Sequence, residues 1–239
     1  MLCVDFFKTL PEKSIVVLHA CCHNPTGVDP TIEQWKEIAA IVKERHLVPF
    51  LDIAYQGFGA GLQEDAQVVK LFAELNMPMF VSSSFSKSFS LYGERVGALT
   101  IVCESKDEAD RVLSQVKRTI RTNYSNPPTH GGTIVSMVLN NDELFALWEK
   151  ELAQMRERIR TMRAQLVAKL KEYGVKQNFD FVLSQRGMFS YSGLTKEQVE
   201  KLRNEHGIYA VNSGRICVAA LNSRNIDAVA KAIAAVLQN

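Results

Sequence analysis

Lys87 stands among hydroxyls and aromatic rings in the stretch Ser82-Ser83-Ser84-Phe85-Ser86-Lys87-Ser88-Phe89-Ser90. A lysine in such a place can become a neutral nucleophile toward carbonyl compounds where burial and nearby cations disfavour its charge, whereas most lysines in loops are solvated surface charges. Asp52 lies inside Pro49-Phe50-Leu51-Asp52-Ile53-Ala54-Tyr55, an apolar setting in which a carboxylate needs a cation or hydrogen-bond donors. A structural ion pair or a helix cap would satisfy it, and so would the protonated ring nitrogen of a pyridinium cofactor. Tyr55 can bring its phenol to the same ligand. His23-Asn24-Pro25-Thr26-Gly27 reads as a turn, with Asn and Gly suited to unusual backbone angles. Arg95 and Arg215 are candidate forks for anions, set against the surface role that is ordinary for a single arginine.

Other chemistries fare worse. Ser84-x-x-Lys87 followed by Tyr124-x-Asn126 imitates the penicillin-recognising serine hydrolases. No Lys-Thr-Gly follows, however, and a dense Ser/Phe loop stands where that family needs a helix. Neither G-x-S-x-G nor a glycine-rich dinucleotide loop occurs. Cys21, Cys22 and His23 are contiguous rather than spaced for tetrahedral coordination, and C-x-x-C and H-E-x-x-H are absent, so no metal site is expected.

Strands must present these residues. Ser14–Ala20, Val48–Ala54 and Met79–Ser83 are short apolar runs of the kind found in buried parallel strands, and Gly97–Cys103 adds another. Between the first two, Pro30, Thr31 and Gln34 mark a helix start, and Ile32, Trp35, Ile38, Ala39 and Val42 give that helix one apolar face. A second helical stretch covers Asp65–Leu75. Strands alternating with helices predict an α/β layered sheet, whose ligands bind at the carboxyl ends of the strands, after residues 20, 54 and 83. From Asp142 to Tyr173 there is no Gly or Pro, and apolar residues recur in steps of four and three. One helix of about 48 Å follows, packing on its own protein rather than forming a coiled coil. Beyond it, Phe179–Leu183, Gly187–Tyr191, Ile208–Val211 and Arg215–Ala219 read as strands. Thr195 with Gln198 starts a helix to His206, and a last helix covers Ile226–Leu237. The expected domains are 1–155 and a small α+β domain, 156–239, joined by the long helix.

The chain has 239 residues, roughly one and a half domains at about 150 residues each. Hydrophobic residues are 46% and charged residues 23%, enough for a sizeable core and unlike a disordered chain. A formal net charge of +2 gives no basic excess for a nucleic-acid partner. No run approaches the ~20 apolar residues of a membrane span. Met1–Lys8 lacks a signal peptide's basic start and cleavage pattern, which predicts a cytoplasmic protein. Five cysteines, mostly within apolar runs, predict free thiols rather than a disulfide framework.

HNPTG at 23–27, DIAYQGF at 52–58, SSSFSKSFSLYGERVG at 82–97, RTNYSNPP at 121–128 and SGRICVAAL at 213–221 together resemble the class I aminotransferases, in particular their aspartate and aromatic-amino-acid branch. The resemblance implies the fold of pyridoxal-phosphate (PLP)-dependent transferases: an incomplete large domain with a mainly parallel sheet, plus the small C-terminal domain. It implies that Lys87 forms a Schiff base with pyridoxal 5′-phosphate and moves the substrate's α-proton. Asp52 would hold the ring nitrogen's proton, and Asn24 and Tyr55 would bond the phenolic oxygen. Ser84 and Arg95 would bind the phosphate. Arg215, with Asn24, would take the substrate's α-carboxylate, and Arg121 would reach across a homodimer to the distal carboxylate in the neighbouring site. The implied substrates are aspartate or an aromatic amino acid and 2-oxoglutarate. The resemblance covers the family's C-terminal three-fifths, so the chain by itself is expected to be cofactor-poor or inactive. The alternative is a non-catalytic dimerisation or interaction module that buries its sheet edge.

Overall fold

The computed structural model describes residues 2–238 and divides into two compact units. One comprises residues 1–21, 30–57 and 61–150, and the other residues 22–29, 58–60 and 151–239.

In the first unit, α1 (Leu2–Thr9), β1 (Ile15–His19), α2 (Ile32–Glu44), β2 (Val48–Ile53), α3 (Leu62–Asp65), α4 (Gln67–Glu74), β3 (Met79–Ser84), β4 (Gly97–Val102), α5 (Lys106–Asn123) and α6 (Thr129–Leu139) follow in order. The sheet runs β1-β2-β3-β4, with β1, β2 and β3 parallel and β4 antiparallel to β3. Helix α2 begins as its sequence requires. Thr31 accepts from the Gln34 amide while the Gln34 side chain accepts from the Thr31 amide at 2.8 Å, a reciprocal cap.

Side chains alternate across a strand, so each strand feeds two faces. Val16, Leu51, Ile53, Met79 and Val81 form the buried face, and Trp35 of α2 meets Phe72 of α4 edge-on in the same core. The other face carries Ile15, Val17, Phe50, Phe80 and Leu99, and it is open at its margins, where Ile15 and Val17 are both 63% exposed.

Helix α7 (Asp142–Glu172) is continuous, with residues to Lys150 in the first unit and those from Glu151 in the second. The second unit continues through α8 (Phe181–Ser184), β5 (Phe189–Tyr191), α9 (Lys196–His206), β6 (Arg215–Cys217) and α10 (Ile226–Gln238). Strands β5 and β6 pair antiparallel. Leu152, Ile159, Met162, Leu166 and Leu170 of α7 are buried together with Val199, Leu202, Ala230 and Ile233.

Several elements differ from the sequence expectation. The helix expected over Asp65–Leu75 forms as α4, Gln67–Glu74, preceded by the single turn of α3, and the Asp65 carboxylate at their junction accepts from the Gly57 amide at 2.8 Å. Phe179–Leu183 is not a strand: Phe179 and Val182 are buried three apart, a helical spacing, and α8 forms there. Ile208–Val211 is not a strand either. The Ile208 amide closes α9 by donating to Leu202 at 2.9 Å, after Gly207 turns the chain at φ +65°. Strand β6 stops at Cys217, and Val218–Ala220 forms a 3-10 turn. Helices α5 and α6 carry no expectation from the sequence. No residue of α5 is buried, and α6 contains Gly131, whose Cβ would stand 2.9 Å from that of Glu94.

Cys21, Cys22, Cys103 and Cys217 are free thiols, whereas the side chain of Cys3 lies outside the described residues. Among the described residues no helix is long and apolar enough to cross a membrane.

Candidate functional site

The sheet register builds the first part of the site. His19, Asp52 and Ser82 are cross-strand neighbours on β1, β2 and β3, so one row of side chains crosses the carboxyl ends of three parallel strands. Ser82 Oγ donates to Asp52 Oδ1 at 3.0 Å, and His19 Nε2 lies 3.7 Å from Asp52 Oδ2. The carboxylate is thereby oriented, yet its side chain is still 35% exposed. A closed structural ion pair would bury it; this one leaves an edge for a further donor.

Lys87 lies in the turn after β3, where Ser90 donates its amide to the Lys87 carbonyl at 3.1 Å. Its Nζ sits 4.8 Å from the centre of the buried Tyr55 ring and 6.0 Å from that of Tyr92. Cation–π attraction of this kind places the amine without consuming its hydrogen-bonding capacity. Trp148 pins the turn: its ring stacks on Phe89 at 4.4 Å and its Nε1 donates to the Ser88 carbonyl at 2.7 Å. Ser86 and Ser88, on either side of the lysine, are buried. Ser84 ends β3 and accepts from the Ser86 amide at 3.3 Å, so it does not begin a helix as the serine-hydrolase alternative requires. Arg95 is exposed, holds φ +53° and donates to the Tyr92 carbonyl at 2.9 Å. Arg121, in the last turn of α5, is also exposed and donates to Ser125 Oγ at 2.6 Å.

In the second unit the structure brings Arg215 and Asn24 together, with Arg215 Nη1 donating to Asn24 Oδ1 at 2.8 Å. The guanidinium also lies 4.6 Å from the centre of the Phe189 ring. The turn that presents Asn24 is stapled by Asp29, whose two carboxylate oxygens accept from the amides of Cys22 at 2.7 Å and His23 at 2.8 Å. Gly27 donates to the His23 carbonyl at 2.7 Å and holds φ +72°. A Cβ there would lie 2.8 Å from the Phe189 carbonyl oxygen, so both the backbone angle and the space call for glycine.

Sequence reasoning missed His19, Ser82 as a partner of Asp52, Asp29, Trp148 and Phe189. Strand parity could have found the first two: residues of equal parity at the ends of adjacent parallel strands share a face. The others act through tertiary contacts with no local signature. Chemically, the first unit offers a placed amine and an oriented carboxylate, and the second a planar cationic fork suited to a carboxylate.

Residues 5–233 match the family described as aminotransferase class I and II. The chain is 66% identical to an aspartate aminotransferase of Pseudomonas aeruginosa over 98% of its own length and 59% of that protein. It is 55% identical to an aromatic-amino-acid aminotransferase of Escherichia coli over 96% of its length and 58% of that protein. The crystal structure of an aromatic-amino-acid aminotransferase from Burkholderia pseudomallei, covalently bound to pyridoxal phosphate, superposes with a TM-score of 0.97 at 64% identity. That alignment covers 98% of this chain and 59% of the other. The chain thus spans about three-fifths of the length of the relatives it matches. With nearly all of its residues aligned in sequence and in structure, the chain belongs to the class I and II aminotransferase family.

Proposed function

We propose that this chain carries the chemical centre of a pyridoxal-5′-phosphate-dependent aminotransferase that moves an amino group between aspartate, or an aromatic amino acid, and 2-oxoglutarate. The observation that carries the reading is the Asp52 carboxylate, held by Ser82 and His19 but left partly open at the carboxyl end of β2, in the same unit as the amine of Lys87. This donor set suits the cofactor: a carboxylate for a protonated ring nitrogen, an amine for its carbonyl, and Ser84 and Arg95 for its phosphate. When bound, the cofactor supplies the carbonyl that takes up the amino group and a ring that spreads the charge left at the α-carbon.

The residues then divide the work. Lys87 would anchor the cofactor through its amine and would also carry the proton at the substrate's α-carbon. Asp52 would hold the proton on the cofactor's ring nitrogen, and Ser82 fixes the direction of that carboxylate. Tyr55 and Asn24 serve the phenolic oxygen. Arg215, lined up by Asn24, takes the substrate's α-carboxylate through paired charge-assisted bonds. Arg121 serves the distal carboxylate in the partner subunit's site of a homodimer. Residues 1–155 form the cofactor-binding part and 156–239 the small domain.

The test is transamination from aspartate to 2-oxoglutarate by the purified chain, produced in a host free of its own aminotransferases. Any turnover found is expected to disappear in Lys87→Ala, and a purified chain without turnover agrees with the expectation that these residues alone are inactive. Activity that survives this change would refute the assignment. A second reading, a non-catalytic interaction module, is favoured by the open sheet face at Ile15, Val17 and Leu99. It predicts concentration-dependent self-association without turnover.

A further inference from the structure

Arg163 is a charged residue in an unusual place. It projects from α7 into the core of the second unit and is 2% exposed. Among the described residues no carboxylate pairs with it. Its guanidinium instead donates to three main-chain carbonyls: Val182 at 3.3 Å, Gly187 at 2.8 Å and Phe189 at 2.7 Å. Burial lowers its pKa to about 10, so at neutral pH it keeps its charge and all its donors.

An apolar residue would fill a core position at less cost, since charge burial is expensive. What a guanidinium adds is a planar set of donors that can bind several acceptors at once, which an ammonium on a single nitrogen cannot copy. Here the fork fixes the path of residues 182–189. Two parts of the carboxylate fork lean on that path. The Phe189 ring lies against the guanidinium of Arg215, and Arg215 pairs with Tyr191 across β5 and β6. The turn carrying Asn24 rests on the same segment: Arg186 donates its amide to the Gly27 carbonyl at 2.7 Å, and Gly27 packs on the Phe189 carbonyl.

We infer that Arg163 is a positioning residue for the Arg215–Asn24 pair, holding Phe189 and the 23–27 turn in the arrangement that aims the Arg215 guanidinium. The role of that pair as the substrate-carboxylate fork rests on the function proposed above. The arrangement itself can be read without cofactor, substrate or turnover, so failure of one is distinguishable from failure of the other.

The experiment is nitrogen-15 NMR of the arginine side chains in the full chain at low temperature, with the Arg215 Nη–H signals assigned by their loss in Arg215→Lys. Arg158 is the internal control, because it also donates to two carbonyls in this unit, those of Leu221 and Ala219. In Arg163→Lys the Nη–H exchange of Arg215, whose Nη1 bonds Asn24, is expected to accelerate about tenfold, the size of one lost hydrogen bond, while that of Arg158 stays at its wild-type rate. Arg215 exchange unchanged in this variant, or accelerated equally at Arg158, overturns the inference. If Arg163→Lys does not fold, Arg163→Gln, which keeps two N–H donors on one planar group, is read in the same way, and an unaltered Arg215 there also overturns the inference.

Discussion

Replacing Asp29 with alanine should loosen the turn that carries Asn24, by an amount the geometry sets. Its carboxylate accepts from the amide of Cys22 and from that of His23. Cys22 is 3% exposed and sits at φ +54°, a left-handed conformation that a non-glycine residue adopts only when its surroundings hold it there. In the alanine variant the Cys22 amide is buried without an acceptor, at about 1–3 kcal/mol, and the half-buried His23 amide loses part of a similar amount. The sum is about 3 kcal/mol. For a chain of this size that corresponds to a fall of about 6–12 °C in the unfolding midpoint. Thermal unfolding followed by circular dichroism measures it, with Asp29→Asn as the graded control. That variant keeps one acceptor and should lose about half as much. An Asp29→Ala midpoint within about 2 °C of wild type would refute the reasoning.

Gly27→Ala should destabilise by about 2–4 kcal/mol, because it combines a strained positive φ with a Cβ at 2.8 Å from the Phe189 carbonyl oxygen. A urea midpoint equal to wild type would show that the turn has room to move. Asp227 receives hydrogen bonds from Lys169 and Tyr173, which lower its pKa, and the same contacts raise those of Lys169 and Tyr173. The contribution of Asp227 is therefore present above the ordinary aspartate value near 4 and fades as pH falls through its lowered folded-state value. That of Lys169 is full below its ordinary value near 10.4 and fades as pH rises through its raised one. Melting curves of wild type and Asp227→Asn should accordingly differ at neutral pH and converge at both extremes. A difference that stays constant from acid to alkali would contradict this.

Much of the fold is legible because its signals are local. Thr31 with Gln34 and Thr195 with Gln198 announce helices that begin there, with both reciprocal caps formed. The apolar runs of β1, β2 and β3 and the unbroken periodicity of α7 likewise produce the expected elements. Where the reading fails, tertiary context or helix closure wins. Ile208–Val211 looks extended, but the Ile208 amide is taken by the end of α9, and Tyr209 is 81% exposed. Helices α5 and α6 went unread: α5 buries none of its residues, its Val112, Val116 and Ile120 being only half-buried, and α6 carries two glycines, of which Gly131 packs close to Val96 and Glu94.

The candidate site divides the same way. Lys87, Asp52, Asn24 and Arg215 stand in recognisable motifs. Their supports do not: Ser82 is aligned by register, Trp148 comes from a helix 60 residues away, and Asp29 acts on amides upstream. Arg163 in sequence is one more basic residue in a charged helix, and only its burial sets it apart.

The central claim is that Lys87 is the amine that holds the cofactor. The most direct measurement incubates the purified chain with pyridoxal 5′-phosphate, reduces with borohydride and maps the adduct by peptide mass, with Lys87→Ala as control. The account predicts that the label the chain takes up is confined to Lys87, even where the yield is low, and is lost in the variant. Labelling scattered over surface lysines, or unchanged in Lys87→Ala, would contradict it.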